Sequence, residues 1–399
     1  KGFELVKQLV AASDVVVENF TATVLKRWGL GYEEMREINP GIVYVSMAGF
    51  GHTGPQSGYM IVGQANQALS GLTFLSGLPG ITPAAWGFSI MDDTAGIYAA
   101  FSVLTALHHK NLTGQGQHVD LAQMITGVSL TGPAFLDRSI NGRPARREGF
   151  PPGNRAVWPG APLAPNYRGP VVAPHNAYPT KGGGHNDWCA IACFSDREWQ
   201  DLIHVMGSPA WAKEGKLSTL MGRIEHQEEM DRGIQEWTLS LGKYEVMEQC
   251  QRAGVRAMPV QSAEDRVDVD PQLGSRKMFV EIDHPVTGRN KIQNVPFSMS
   301  KSTVGVSRRA PQMGEHTAEV MERILGLSHQ EVVEGFDDGT FWPAEFPRYP
   351  HIQESLARPH AGPKEKHNGS NGSQPQVRSA STGAGPLAGL RVLELADEK

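Results

Sequence analysis

The feature that most constrains this chain is a repeated pairing of a helical segment with a short apolar strand near its start. Phe3 to Val10 carries Leu5, Val6, Leu9 and Val10 at helical spacing, and Asp14-Val15-Val16-Val17 follows as a brief β-branched run. Thr23 to Trp28, stopped by Gly29, and Tyr32 to Glu37, stopped before Asn39-Pro40, read as two more helices ahead of the strand Ile42-Val43-Tyr44-Val45-Ser46. Helices alternating with buried strands predict an α/β fold, a parallel sheet covered by helices. Ligands of such sheets sit beyond the carboxyl ends of the strands, which singles out Asn19, Phe20 and the glycine-rich stretch Ala48 to Gly54.

At 399 residues the chain exceeds what one hydrophobic core usually holds, so at least two lobes are expected. Lys+Arg 37 against Asp+Glu 42 gives a net charge of -5 without long blocks of one sign. That pattern argues against a dedicated nucleic-acid or membrane-surface binder and for a small-molecule partner. No uninterrupted run of about 18 apolar residues occurs, and Lys1-Gly2-Phe3-Glu4-Leu5 is neither a signal core nor an initiator Met. The chain is read as soluble and as a fragment.

Cys189, Cys193 and Cys250 are too few and odd in number for a disulfide framework, which fits a reducing cytoplasm. Cys189 and Cys193 could supply two metal ligands, but they alternate as in a half-buried strand, and no second Cys/His pair has metal-site spacing. The expectation is core cysteines and no metal.

Further along, Asp93 to His108 has Ala95, Ala99, Val103 and Ala106 on a face suited to close helix packing. Gly142 to Pro179 is crowded with Pro, Gly and Arg and reads as a crossover; Arg143, Arg146, Arg147 and Arg155 within it read as exposed loop charges. Ser195-Asp196-Arg197-Glu198 is a capping box that opens a helix. The expected division is a Rossmann-like large lobe over 1–150, a crossover and smaller α/β lobe over 151–296, and a return to the large lobe over 297–345. A polar linker, most plainly Lys364 to Pro386, fills 346–385, and Gly389 to Leu395 looks like the first strand of another domain. On residue type alone, Asp92 or Asp93 is either the N-cap of a helix beginning near Thr94 or an anion seated at that helix start. Gly182-Gly183-Gly184 is either a turn before a strand or a place where backbone must approach a ligand.

Taken together and in order, several segments resemble the class III coenzyme A-transferases, the CaiB/BaiF family. They are Asp14 to Phe20 with Val24 to Leu30, Asn39 to Ser46, Gln67 to Gly71, Thr113 to Asp120, and Gly314 to Thr317. The resemblance covers Lys1 to about Leu327. Family members begin with a segment of about eighty residues that this chain lacks, opening with a strand like Pro386 to Leu395. A tandem fusion follows as an expectation, with residues 386–399 starting a second module.

The resemblance implies a CoA-transferase moving CoA between an acyl-CoA and a carboxylic acid, with coenzyme A thioester as substrate and no permanently bound cofactor. It makes Asp92 the nucleophile, with Asp93 as second choice, and places Gly182, Gly183 and Gly184 over the aspartyl intermediate. It assigns Asn19, Phe20 and Thr21 to the CoA wall and Arg27 to a phosphate; Arg27 could equally be a solvated helix residue. It also implies interlocked dimers, here a homodimer or a pseudo-dimer with the fused module. Trp86 and Phe88 are candidates for an acyl pocket or for core packing. Two alternatives stay open: a 2-methylacyl-CoA racemase, which needs a second base where Val62 stands, and a non-catalytic module.

Overall fold

The computed structural model describes residues 1–75, 87–142, 172–341 and 391–395. The nine described strands are β1 (Val15–Glu18), β2 (Val43–Ser46), β3 (Gln117–Asp120), β4 (His175–Pro179), β5 (Trp188–Ala192), β6 (Arg256–Pro259), β7 (Phe279–His284), β8 (Gly288–Gln293) and β9 (Val392–Leu395). They form a four-stranded sheet in the order β3-β2-β1-β9, a three-stranded antiparallel sheet β4-β5-β6 and the hairpin β7-β8. The fold is α/β, as expected.

Two compact units emerge, and their boundaries fall elsewhere than the expected 150 and 296. One unit holds residues 1–46, 102–119 and the described residues from 267 on; the other holds 47–101 and 120–266. Helix Ile90–Thr113 contains the division, between Phe101 and Ser102.

In the first unit β1 runs parallel to β2, Val15 opposite Val43 and Glu18 opposite Ser46. Val15, Val16, Val43 and Val45 are fully buried, which is why both strands read as unbroken apolar runs rather than alternating ones. Helices Gly2–Ala11 and Tyr32–Ile38 bring Val10 and Met35 onto Val16 and Tyr44. Asn39 ties the strand ends together: its Nδ2 donates to the Ser13 carbonyl at 2.8 Å, and its Oδ1 accepts the Gly41 N–H at 3.1 Å. Gly116 lies so close to the chain that a Cβ there would be 1.9 Å from the Ile42 carbonyl oxygen. The Asn-Pro-Gly and Gly-Gln-Gly motifs therefore brace this sheet.

The opposite flank of β1 is taken by β9, parallel and in register from Val15 opposite Val392 to Glu18 opposite Leu395. Asp14 fixes the start of that pairing. Its Oδ2 accepts the Arg391 N–H at 3.1 Å and its Oδ1 accepts from Lys110 Nζ at 2.9 Å. Burial alone would raise its pKa, but those hydrogen bonds and the two cations hold it below the usual carboxylate value. Leu5 and Leu9 pack against Met321, Val332 and Phe341, so the chain beyond 317 rejoins this unit. The Gly314-Glu315-His316 motif is a clamp: both guanidinium nitrogens of Arg309 pair with Glu315, and the Gln312 N–H donates to it at 2.7 Å.

Helix Ile90–Thr113 is long and apolar enough to cross a bilayer by composition. Ala95, Ala99 and Ala106 are nevertheless buried in protein, and Lys110 makes its ion pair within the first unit. Its other side leaves Ile97 71% and Phe101 70% exposed.

In the second unit the sheet β4-β5-β6 is backed by helices Asp196–Val205, Gln227–Thr238 and Lys243–Arg252. Ser195 caps the first of these by accepting the Glu198 N–H at 3.2 Å, as the capping box predicts. Cys189, Cys193 and Cys250 lie in the core with Trp199, Leu202 and Ile234, and burial pushes each thiol up to about 12. They are inert core residues.

Lys243 and Asp265 form a well-shielded ion pair at 2.5 Å, side chains 11% and 15% exposed. The Lys243 hydrogen bond, helped by the Ser262 N–H, depresses Asp265 to about 2 from an ordinary 3.8. A depressed carboxylate stabilises the fold fully above its unfolded pKa and loses that contribution as pH falls through the folded one. Lys243→Met should therefore lower the urea midpoint at pH 5, and the gap between variant and wild type should narrow between about pH 4 and pH 2. An equal gap at both pH values would show that packing, not charge, is what Lys243 supplies.

Candidate active site

The residues around Asp92 are held by contacts too close for larger side chains. Helix Ile90–Thr113 starts four residues earlier than the sequence predicts, so neither Asp92 nor Asp93 is its N-cap. Both lie inside its first turn, their N–H groups donating to the Ser89 carbonyl at 2.9 and 3.4 Å. Both are exposed, and in that turn the helix dipole favours a carboxylate. Met91, between Ile90 and Asp92, is fully buried and anchors the turn.

Two glycines make this seat. A Cβ at Gly127 would stand 2.6 Å from the Ser70 side chain and 2.8 Å from Met91 Cε. A Cβ at Gly63 would stand 2.7 Å from Asp92 Oδ2 and 2.8 Å from Ser89. Helix Gly63–Leu69 thus lays bare backbone against the Asp92 carboxylate, and Gln64 Nε2 reaches Ser89 Oγ at 3.4 Å. The Gln-Ala-Leu-Ser-Gly motif has its reason here: Ser70, buried, packs on Gly127 while its Oγ donates to the Gln67 carbonyl at 2.9 Å. Asn66 is also fully buried and donates to Gln123 Oε1 at 2.8 Å. Neither Gly63 nor Gly127 was singled out by sequence, because a glycine in a helix shows its reason only when its neighbour in space is known.

Gly182, Gly183 and Gly184 belong to the same unit as Asp92 and link β4 to β5. They are exposed, and Gly182 and Gly183 have φ of +114° and +64°, which side-chain-bearing residues rarely adopt. Asp187, another residue the sequence did not mark, accepts the Gly184 N–H at 2.8 Å.

The loop after β2 is also fixed by a carboxylate. Asp120 accepts the His52 N–H at 2.7 Å and the Thr53 hydroxyl at 3.3 Å. His52 contributes its backbone N–H there.

Asn19, Phe20, Thr21 and Arg27 lie in the first unit, just past the carboxyl end of β1. Glu18 sets their start: buried at the strand end, it accepts the Phe20 N–H at 2.7 Å and the Tyr44 hydroxyl at 3.2 Å. Burial, then the Glu18 charge, pushes the Tyr44 phenol far above its ordinary value, so it stays a donor. Beside Tyr44, Ser46 Oγ lies 2.8 Å from His118 Nε2, whose ring stacks on Tyr32. Asn19 and Thr21 are exposed, and Phe20 meets Trp28 edge to face at 5.6 Å. Trp28 is 55% exposed beside the exposed Arg27, which adds an aromatic surface to the four residues named from sequence. Phe88 is exposed; Trp86 lies outside the described residues. Val62 precedes helix Gly63–Leu69 as its N-cap.

The profile of the CoA-transferase family III matches residues 1–317. The succinyl-CoA–D-citramalate CoA-transferase of Chloroflexus aurantiacus is 32% identical over 332 residues, covering 83% of this chain and 77% of that protein. A formyl-CoA:oxalate CoA-transferase of Streptomyces avermitilis is 31% identical over 332 residues, covering 83% and 79%. The crystal structure of a CaiB/BaiF family protein from Brucella suis superposes with a TM-score of 0.69 at 26% identity, covering 81% of this chain and 78% of that one. The chain belongs to the CoA-transferase family III and is an enzyme of that class. The family acts on CoA thioesters.

Gly63→Ala should reduce turnover by about tenfold to a hundredfold by displacing the Asp92 carboxylate, the scale of an ångström-sized misplacement at a reacting group. Alanine is the better helix former, so a circular dichroism spectrum and melting point like wild type should accompany the loss. Full activity in Gly63→Ala would show that the close seat is dispensable.

Proposed function

We propose that the enzyme transfers CoA between an acyl-CoA and a short carboxylic acid through covalent intermediates on Asp92. The observation that carries this reading is the seat of Asp92: an exposed carboxylate in the first turn of a long helix, fixed by the close approach of Gly63. Only a carboxylate suits the chemistry. Asp92 attacks the thioester carbonyl, the C–S bond breaks, and CoA leaves as thiolate with a mixed anhydride behind it. The thiolate then attacks the Asp92 acyl carbon and expels the donor acid, leaving an aspartyl-CoA thioester. The acceptor carboxylate and then CoA repeat the two steps in reverse, which frees Asp92 unchanged. Each step passes through an oxyanion, for which Gly182 to Gly184 supply backbone donors.

Asn19, Phe20 and Thr21 wall the CoA, with Trp28 extending the apolar side, and Arg27 faces a phosphate through its planar fork. The matched relatives are named for succinyl-CoA, D-citramalate, glutarate and oxalate, so we take succinyl-CoA as the first donor and short di- or hydroxycarboxylates as the acceptors to try. A racemase would need a second base, and Val62 offers none.

We read the working enzyme as cytoplasmic, in keeping with three buried free thiols, and as a homodimer or a pseudo-dimer with a second fused module. In the second unit the exposed Ile97, Phe101, Phe135 and Ile140 are apolar side chains such an assembly would cover. No nucleic acid or membrane enters this reading.

Asp92→Asn keeps the shape and removes the nucleophile. With succinyl-CoA and a panel of acceptor acids, turnover should fall at least about a thousandfold, as for loss of a covalent nucleophile, while the fold is retained. Turnover within tenfold of wild type would refute the assignment, and Asp93→Asn would then be the next variant.

A further inference from the structure

The glycine loop has a stem tied to neighbouring segments and a tip held from within the loop. In the stem, the Thr180 N–H donates to the Asp187 carbonyl at 2.7 Å and the Lys181 N–H to the Leu241 carbonyl at 2.8 Å. Lys243 Nζ adds bonds to the Asn186 carbonyl at 3.0 Å and the Val260 carbonyl at 3.3 Å, from a position already locked by Asp265. The tip is held within the loop itself, the Gly183 N–H donating to the Thr180 carbonyl at 3.3 Å and the Asp187 N–H to the Gly184 carbonyl at 3.1 Å. Its three glycines are exposed, and the side-chain contact that fixes it comes from Asp187.

Asp187 Oδ2 accepts the Gly184 N–H at 2.8 Å and lies where Cβ atoms on the loop would fall, 2.6 Å from one at Gly182 and 2.7 Å from one at Gly184. The carboxylate therefore fills the concave side of the turn. Two consequences follow from elementary electrostatics. A Gly184 N–H bound to Asp187 is not free to serve a developing oxyanion, and a fixed negative charge inside the turn opposes a second one there. In this conformation two of the loop's donors are committed, the Gly183 N–H to the Thr180 carbonyl and the Gly184 N–H to Asp187.

We propose that Asp187 is a positioning residue that parks the glycine loop in the resting enzyme and yields the Gly184 N–H to the acyl-aspartyl intermediate when one forms. The proposal rests on the reading of Gly182 to Gly184 as the cover of Asp92. The stem stays anchored by Leu241, Lys243 and Val260, so the exchange of acceptors involves the tip, where positive φ at Gly182 and Gly183 lets the chain turn freely. Parking gives the exposed glycine tip a single resting geometry and keeps the Gly184 N–H paired until substrate arrives.

The test is residue-resolved hydrogen–deuterium exchange on wild type, Asp187→Ala and Asp187→Asn, with and without succinyl-CoA. Without acyl-CoA, the Gly184 amide should exchange about tenfold faster or more in Asp187→Ala than in wild type, with Asp187→Asn between them because its carbonyl still accepts. Exchange at β5 residues such as Ile191 should stay as in wild type, which separates loss of the latch from loss of the fold. During turnover with succinyl-CoA, the Asp187→Ala loop should regain protection at Gly184. Equal Gly184 exchange in wild type and Asp187→Ala without acyl-CoA overturns the parking role. A Gly184 amide that stays unprotected in Asp187→Ala while the enzyme is turning over overturns the hand-over. The first comparison needs no catalysis, so it stands or falls apart from the Asp92 assignment, which Asp92→Asn decides separately.

Discussion

Everything proposed for this enzyme depends on how tightly backbone is brought against the Asp92 carboxylate. Gly63 and Gly127 let two short helices close on the first turn of helix Ile90–Thr113 without side chains in between. Met91 is buried by that closure, and its neighbour Asp92 is thereby left exposed with a fixed direction. A flexible aspartate would give up much of the benefit of proximity, because a nucleophile must be delivered in a near-attack geometry. The apolar core under the turn and the reactive group above it are one construction.

The motifs that carry the family resemblance turn out to be mostly structural. Asn39 and Gly41 close the ends of β1 and β2, Gly116 permits contact with the Ile42 carbonyl, Ser70 fits Gly127, and Glu315 clamps Arg309. Gly116 leaves no room for a Cβ, and replacing Asn39, Ser70 or Glu315 would remove the hydrogen bonds described above. The chemistry rests on a smaller set, Asp92 and the glycine tip, held in place by those braces.

Sequence made the parallel strands legible because Val15, Val16 and Ile42 to Val45 are buried, on successive residues and so on both faces, a pattern a surface strand cannot carry. The capping box at Ser195 and the core cysteines were legible for similarly local reasons. The start of helix Ile90–Thr113 was not: Ile90 and Met91 look like strand or core residues, and an acidic pair one turn in imitates a cap. The division into units was missed because 47–101 joins 120–266 through side-chain packing between segments distant in sequence. Asp187 and Gly63 act on partners that no pattern in the sequence connects to them. The same holds for β9, whose resemblance to a family opening strand was visible but whose place beside β1, more than 370 residues away, was not.

The most direct test of the central claim is mass spectrometry of the full-length protein incubated with succinyl-CoA and other acyl-CoAs in the presence of hydroxylamine. An activated acyl group on the protein is captured by hydroxylamine as a stable hydroxamate. The account predicts a hydroxamate that depends on acyl-CoA and maps to the peptide containing Asp92, absent from Asp92→Asn. No modification there with any donor during turnover, or solvent exchange of the substrate α-proton in its place, would contradict it.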